Sequence, residues 1–168
     1  MTELTQDRLK ELLEYNLGTG IFIRKKTVSS NGRLGMVAGY GHPSGYIFIK
    51  FDKKAYPAHR LAFLFMTGHF PCNEVDHKNN NKKDNSWSNL RKCSRSQNQA
   101  HNPKQKNNTS GFKGVSWEKS ANKWRTQITF NRKRIHLGLF TDKLEAAKTY
   151  NRKSIELFGE FAHLNKVV

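Results

Sequence analysis

Long apolar runs are missing from this chain. None approaches the roughly 18 residues a membrane helix needs, and LAFLFM, residues 61–66, reads as a short buried segment. The N-terminus, MTELTQDRLKELL, lacks the basic start and apolar middle of a signal peptide. No membrane partner and a cytoplasmic location are therefore expected. Cysteine is scarce: Cys72 and Cys93 are not spaced as a CxxC clip, so two free thiols are expected in a reducing compartment. No heptad repeat forces dimerisation, which leaves a monomer or weak dimer. Acidic residues are also few, 13 against 30 Lys and Arg. The resulting formal charge of +17 implies a polyanionic partner, nucleic acid first. A basic protein that binds RNA or acidic surfaces without specificity is the plainer alternative.

At 168 residues the chain suits one ordinary domain or two small ones. Its charge is spread: residues 1–101 carry +8 and residues 102–168 carry +9. Two basic halves suggest a long contact with a phosphate backbone rather than one basic tail.

Thr5 to Tyr15 reads as a helix capped by Thr5, with Leu9, Leu12 and Leu13 as its apolar stripe. Ile21 to Lys26 reads as a short strand, followed by a basic loop (SSNGRLG) that either touches phosphate or is simply solvated. Met36–Gly39, Tyr46–Phe51 and Lys54–Ala58 form an expected antiparallel meander, separated by the turn signals HPSG and DKK. His59 to Thr67 reads as a buried helix stopped by Gly68 and Pro71. His59-Arg60 at its start admits two readings, a DNA contact or a structural pair.

The stretch Glu74 to Asn102 carries the candidate chemistry. Glu74–His77 and Leu90–Cys93 read as strands around a polar loop, Lys78–Ser88, with four Asn and three Lys. Ser94 then caps a helix to about His101, and Pro103 closes it. This order can bring Asp76 at a strand end and Asn98 on a facing helix to one cation, with His77 directed at substrate. A hydrogen-bonded polar loop explains the same residues without a metal.

Residues 58–102 resemble the HNH nuclease motif of phage and intron-encoded homing endonucleases through HRLAFLFMTG, EVDHKNN and NSWSNLRKCSRSQNQ. The resemblance implies a ββα-metal element with one divalent cation, and a host-cell cytoplasmic location if a phage carries the gene. By position, Asp76 and Asn98 would be metal ligands, His77 the general base, and Asn89 the asparagine that braces the loop. Many relatives have histidine where this chain has Asn98, and His101, one turn on, is a weaker candidate ligand. Asn80 stands where the family often has glycine, and asparagine tolerates the left-handed backbone. Oxygen ligands favour Mg2+ or Mn2+. The family's paired zinc-binding cysteines are missing, which implies no structural zinc. Arg91 or Arg95 is a candidate contact to the scissile phosphate, although surface charge explains both.

After a linker at 107–111, Lys113–Trp117, Lys123–Phe130 and Arg134–Phe140 read as three strands. Trp124, Ile128 and Phe130 alternate with Arg125, Gln127 and Thr129; Ile135, Leu137 and Leu139 alternate with Arg134, His136 and Gly138. A helix from Asp142 to Phe158 would cover the apolar face through Leu144, Ala147, Tyr150, Ile155 and Phe158. SGFKGVSW, KWRTQITF, RIHLGLF, AAKTY and GEFAHLN resemble the plant ethylene-response-factor DNA-binding domain, the AP-two fold. That likeness implies a sheet lying in the major groove of double-stranded DNA. Lys113, Ser116, Gln127, Thr129, Arg134 and His136 fall at its contact positions, and Arg125 shares the basic face.

The expected fold is α+β: an N-terminal helix and meander that form a DNA-contact region (1–57), a ββα-metal nuclease core (58–106), and a three-stranded sheet packed on one helix (107–168). The implied activity is a metal-dependent homing endonuclease that nicks duplex DNA. A DNA-binding regulator with a decayed nuclease centre is the competing reading.

Overall fold

Thr5 caps the first helix, α1 (Gln6–Leu12), by accepting a hydrogen bond from the Arg8 N–H at 3.3 Å. The helix stops there, short of the expected end at Tyr15, and Leu13–Tyr15 forms strand β1. Propensity is overridden by pairing: β1 lies antiparallel to β2 (Phe22–Arg24), and Tyr15 stacks on Phe22 with centroids 4.7 Å apart. The computed structural model describes residues 4–28, 32–51 and 53–167. Part of the SSNGRLG loop (29–31) and Asp52 of the DKK turn lie outside them.

The meander also differs from expectation. Val37–Ala38 (β3) joins β2, and Tyr40–Gly41 (β4) supplies the first strand of the next sheet, with β5 (Ile47–Phe51) and β6 (Lys54–Pro57). Helix α2 (Ala58–Thr67) comes next, with Leu61, Ala62, Phe63 and Leu64 buried. These pack with Leu9, Leu13, Phe22, Ile49, Val75 and Leu90 in one apolar core. Arg60 donates to the carbonyls of Pro71, at 2.8 Å, and Asn73, so it ties down the chain after α2. Strands β7 (Glu74–His77) and β8 (Leu90–Cys93) form a two-stranded sheet at the expected positions. No helix among the described residues is long and apolar enough to cross a membrane.

Packing divides the chain between Lys92 and Cys93. The sequence placed divisions at 57/58 and 106/107 instead. Residues 1–57 share the core of α2, so they do not pack separately. Helix α3 (Arg95–His101) belongs to the C-terminal unit, because Cys93 and Ala100 sit in a cluster with Ile128, Tyr150, Phe158 and Phe161.

The second unit holds an antiparallel sheet of order β11-β10-β9, from Val115–Glu118 (β9), Lys123–Phe130 (β10) and Lys133–Phe140 (β11). Asn131 and Arg132, both at positive φ, close the β10–β11 hairpin. Strand β11 carries one extra residue: Thr126 faces Gly138, and the next residue, Gln127, faces His136. This bulge reverses the alternation beyond Leu137. Leu139 therefore faces outward beside Arg125 and is 42% exposed, whereas Phe140 turns inward opposite Trp124. Gly138 has φ +134, which a side chain at that bend would resist.

Helix α4 (Lys143–Phe158) starts at Asp142, whose carboxylate accepts from the Leu144 and Glu145 N–H groups. It buries Ala146, Ala147, Tyr150, Ser154 and Phe158, while Leu144 and Ile155 stay exposed. Ile155 lies about 100° round the helix from Ser154, off the contact stripe. The small residues let the sheet approach closely, and Thr126 donates to the Ala146 carbonyl at 3.2 Å.

Candidate active site

Strand β7 buries three consecutive residues, Val75, Asp76 and His77. A half-buried strand would alternate, so each side chain needs its own partner. Val75 enters the apolar core. Asp76 accepts from Arg91 Nε at 2.8 Å, a pair with 5% and 13% side-chain exposure. Arg91 is thus first a partner of the carboxylate, not only the surface charge the sequence suggested. The His77 ring sits edge-on to His59, with centroids 5.3 Å apart, and 5.8 Å from Tyr46. Its Nε2 lies 3.2 Å from Asn85 Oδ1. Burial lowers the His77 pKa below the ordinary imidazole value, which holds the ring neutral near pH 7. His59 is buried behind it, and of its two readings the structural one holds.

The loop between the strands is hydrogen-bonded throughout. Lys78 N–H donates to the Asn89 carbonyl at 2.9 Å. Asn89 Oδ1 accepts from Asn79 N–H at 3.0 Å, and its Nδ2 donates to Asn79 Oδ1 and to the Asp84 carbonyl. Asn80 takes the left-handed conformation, φ +59, and its N–H reaches the His77 carbonyl at 2.8 Å. Asp84 accepts from the Ser86 hydroxyl and N–H, which holds its carboxyl below the usual range.

A second bracing layer comes from the β1–β2 hairpin, which the sequence marked only as a DNA-contact region. Tyr15 OH donates to the Asn85 carbonyl at 2.6 Å, and burial drives the phenol pKa far upward. Trp87 N–H donates to the Leu17 carbonyl at 2.9 Å. Gly20, at φ +72, leaves room for the loop: a Cβ there would fall 2.1 Å from the Asn85 carbonyl carbon. Sequence reasoning missed Asn85, Tyr15 and Gly20, because nothing local separates Asn85 from Asn79, Asn80 and Asn81.

In the second unit, Ser94 and Gln97 form a reciprocal capping box at the start of α3. Asn98 is half-buried on this helix, His101 is buried in its last turn, and Arg95 is exposed. On the sheet, cross-strand pairs put Ser116, Arg125, Gln127, Thr129, Arg134 and His136 on the face away from α4. Thr129, Arg134 and His136 are exposed. Arg125 is bridged to Glu118 at 2.8 Å. Lys113, another expected DNA contact, is engaged within the protein. Its Nζ donates to the carbonyls of Gln99, Ala100 and Asn102 at the end of α3, and burial pushes its pKa down to about 8.

A family model described as HNH endonuclease matches residues 56–100. Protein 3.8 of Escherichia phage T7 is 35% identical over 88 residues, 52% of this chain and 72% of that protein. This chain belongs to the HNH endonuclease family. An uncharacterised HNH endonuclease, L560 of Acanthamoeba polyphaga mimivirus, is 33% identical over 126 residues, 74% of this chain. The chain spans 64% of that relative's length. The structure of the HNH homing endonuclease I-HmuI aligns over 49% of this chain and 47% of its own, with 24% identity and TM-score 0.37. The HNH match takes in α2, β7, β8 and nearly all of α3, so it includes His59, His77 and the loop between the strands, and ends before the C-terminal sheet.

Proposed function

We propose that this HNH protein is a divalent-metal-dependent DNA endonuclease of homing type that nicks duplex DNA at a preferred site. The observation that carries this reading is the buried Asp76-His77 pair at the end of β7, in a chain of charge +17. The T7 and mimivirus relatives come from a phage and a virus, which suits a protein acting in a host cell.

Asp76 offers a buried hard oxygen donor and Asn98 an amide oxygen. One carboxylate with neutral oxygen donors suits Mg2+ or Mn2+, which keep several waters. By the family resemblance Asp76 would be one ligand of such an ion and Asn98 the other; the ion's charge when bound favours the crowded anionic phosphate. Among the described residues no three His, Cys, Asp or Glu gather into a closed metal cage. His77, neutral near pH 7, takes a proton from water as that water attacks phosphorus and the bond from phosphorus to the leaving 3′ oxygen breaks. Asn89 holds the loop that carries the base. Arg95 is a candidate phosphate contact. A single such centre acts on one strand, so a monomer would nick.

The C-terminal sheet is proposed as an AP-two-like DNA reader. Gln127, Thr129, Arg134 and His136 share its face away from α4, where phosphate and base edges would approach. Ser116 and Arg125 lie on the same face.

Relaxation of a supercoiled plasmid with and without Mg2+ or Mn2+ tests the reading. His77→Ala should abolish nicking and leave duplex binding nearly intact. Tight duplex binding without relaxation under any divalent metal would favour the competing reading, a DNA-binding regulator with a decayed centre.

A further inference from the structure

We propose that Asn85 is the positioning residue that decides which His77 nitrogen acts as the base, and that this nitrogen is Nδ1. The inference rests on the reading of His77 as the general base. The Asn85 amide has one defined orientation. Asn85 Nδ2 lies 3.2 Å from the Lys83 carbonyl. A carbonyl only accepts, so the amide nitrogen must face Lys83 and the amide oxygen must face His77. That oxygen lies 3.2 Å from Nε2 and also only accepts. Nε2 therefore carries the proton in the neutral ring, and the lone pair is on Nδ1.

The amide is itself held. Asn85 is 2% exposed, and its backbone carbonyl receives the Tyr15 hydroxyl at 2.6 Å. Gly20 packs directly on that carbonyl. The next residue, Ser86, is fixed through its N–H and hydroxyl to Asp84 Oδ1, at 3.1 and 2.7 Å. The His59 ring, edge-on, and the Tyr46 ring lie against the imidazole and give shape without choosing a tautomer. Asn85 never needs to touch DNA in this arrangement. It acts through His77, by keeping one nitrogen protonated and the other available to water.

The test uses the full chain. Long-range proton–nitrogen NMR at pH about 8, above the ordinary imidazole value of about 6.5, reads the His77 tautomer, with His77→Gln assigning the signal. Wild type should show the Nε2–H form. Asn85→Leu, similar in size but without the oxygen, should populate both forms and slow single-turnover nicking by roughly 10- to 100-fold, with duplex affinity unchanged. Asn85→Asp returns an acceptor and should restore the Nε2–H form and most of the rate. An Nδ1–H form in a wild-type protein that nicks overturns this proposal alone, and needs no variant to fold. Wild-type nicking speed in a folded Asn85→Leu protein does the same. A wild-type protein that never nicks removes the nuclease reading on which the proposal rests.

Discussion

Gly20 and Asn85, far apart in the chain, are in backbone contact: a Cβ at position 20 would fall 2.1 Å from the Asn85 carbonyl carbon and 2.2 Å from the Ser86 nitrogen. The hairpin that holds Gly20 also supplies Tyr15 and the Leu17 carbonyl to the same loop. The N-terminal segment is thus a brace for the loop that orients His77.

Gly20→Ala should be costly, because the methyl meets backbone rather than a movable side chain and φ is +72. A loss of about 1–3 kcal/mol is expected from overpacking, read by chemical denaturation. Nicking should slow as well, since Asn85 is displaced. A variant with wild-type stability and rate would show that the hairpin does not hold the loop.

Arg91→Met removes the guanidinium beside a carboxylate that is 5% exposed. Breaking a buried pair from one side typically costs about 3–5 kcal/mol. The double variant Arg91→Met with Asp76→Asn should be more stable than the sum of the single losses predicts, because no lone carboxylate is left buried. Strict additivity in that cycle would mean that the two side chains act independently.

His59 gives the fold a pH dependence. Its burial pushes the pKa from 6.5 down to about 3, so the folded chain holds it neutral. Between those values the unfolded chain takes up a proton that the folded one excludes. The contribution is complete above pH 6.5 and declines as pH falls, with a slope of at most about 1.4 kcal/mol per pH unit. His59→Phe keeps a ring there and removes the proton site. Its stability should fall by roughly 1–2 kcal/mol less than that of wild type between pH of about 7 and about 5. Equal losses in both proteins would exclude His59 as a source of the slope.

Lys113 and Arg134 should separate stability from binding. Lys113→Met strips three carbonyls at the end of α3 of their donor, so it should destabilise by about 1–3 kcal/mol and leave duplex affinity nearly unchanged. Arg134→Ala, on the exposed face, should barely move the melting temperature while lowering the salt dependence of duplex binding by about one ion. The opposite pattern would make Lys113 the phosphate contact and Arg134 the structural one.

The sequence by itself determined the elements whose signals are local. Ser94 as a cap marks the start of α3, and the two-residue alternation of Trp124, Ile128 and Phe130 with polar residues marks β10. Asp76 and His77 were legible as a pair, and asparagine at position 80 already fitted the left-handed turn found there. Tertiary structure alone decided what depends on distant partners. Leu13–Tyr15 became a strand because Phe22 and Asn85 were there to meet Tyr15. One bulge turned Leu139 outward, since a single extra residue reverses a two-residue period. Lys113 is no free cation, because the end of α3 needed a donor. Asn85 stood out from its neighbouring asparagines once Tyr15 and Gly20 had closed on it. The Tyr15–Asn85 hydrogen bond joins residues 70 positions apart, and neither local sequence carries a signature of it.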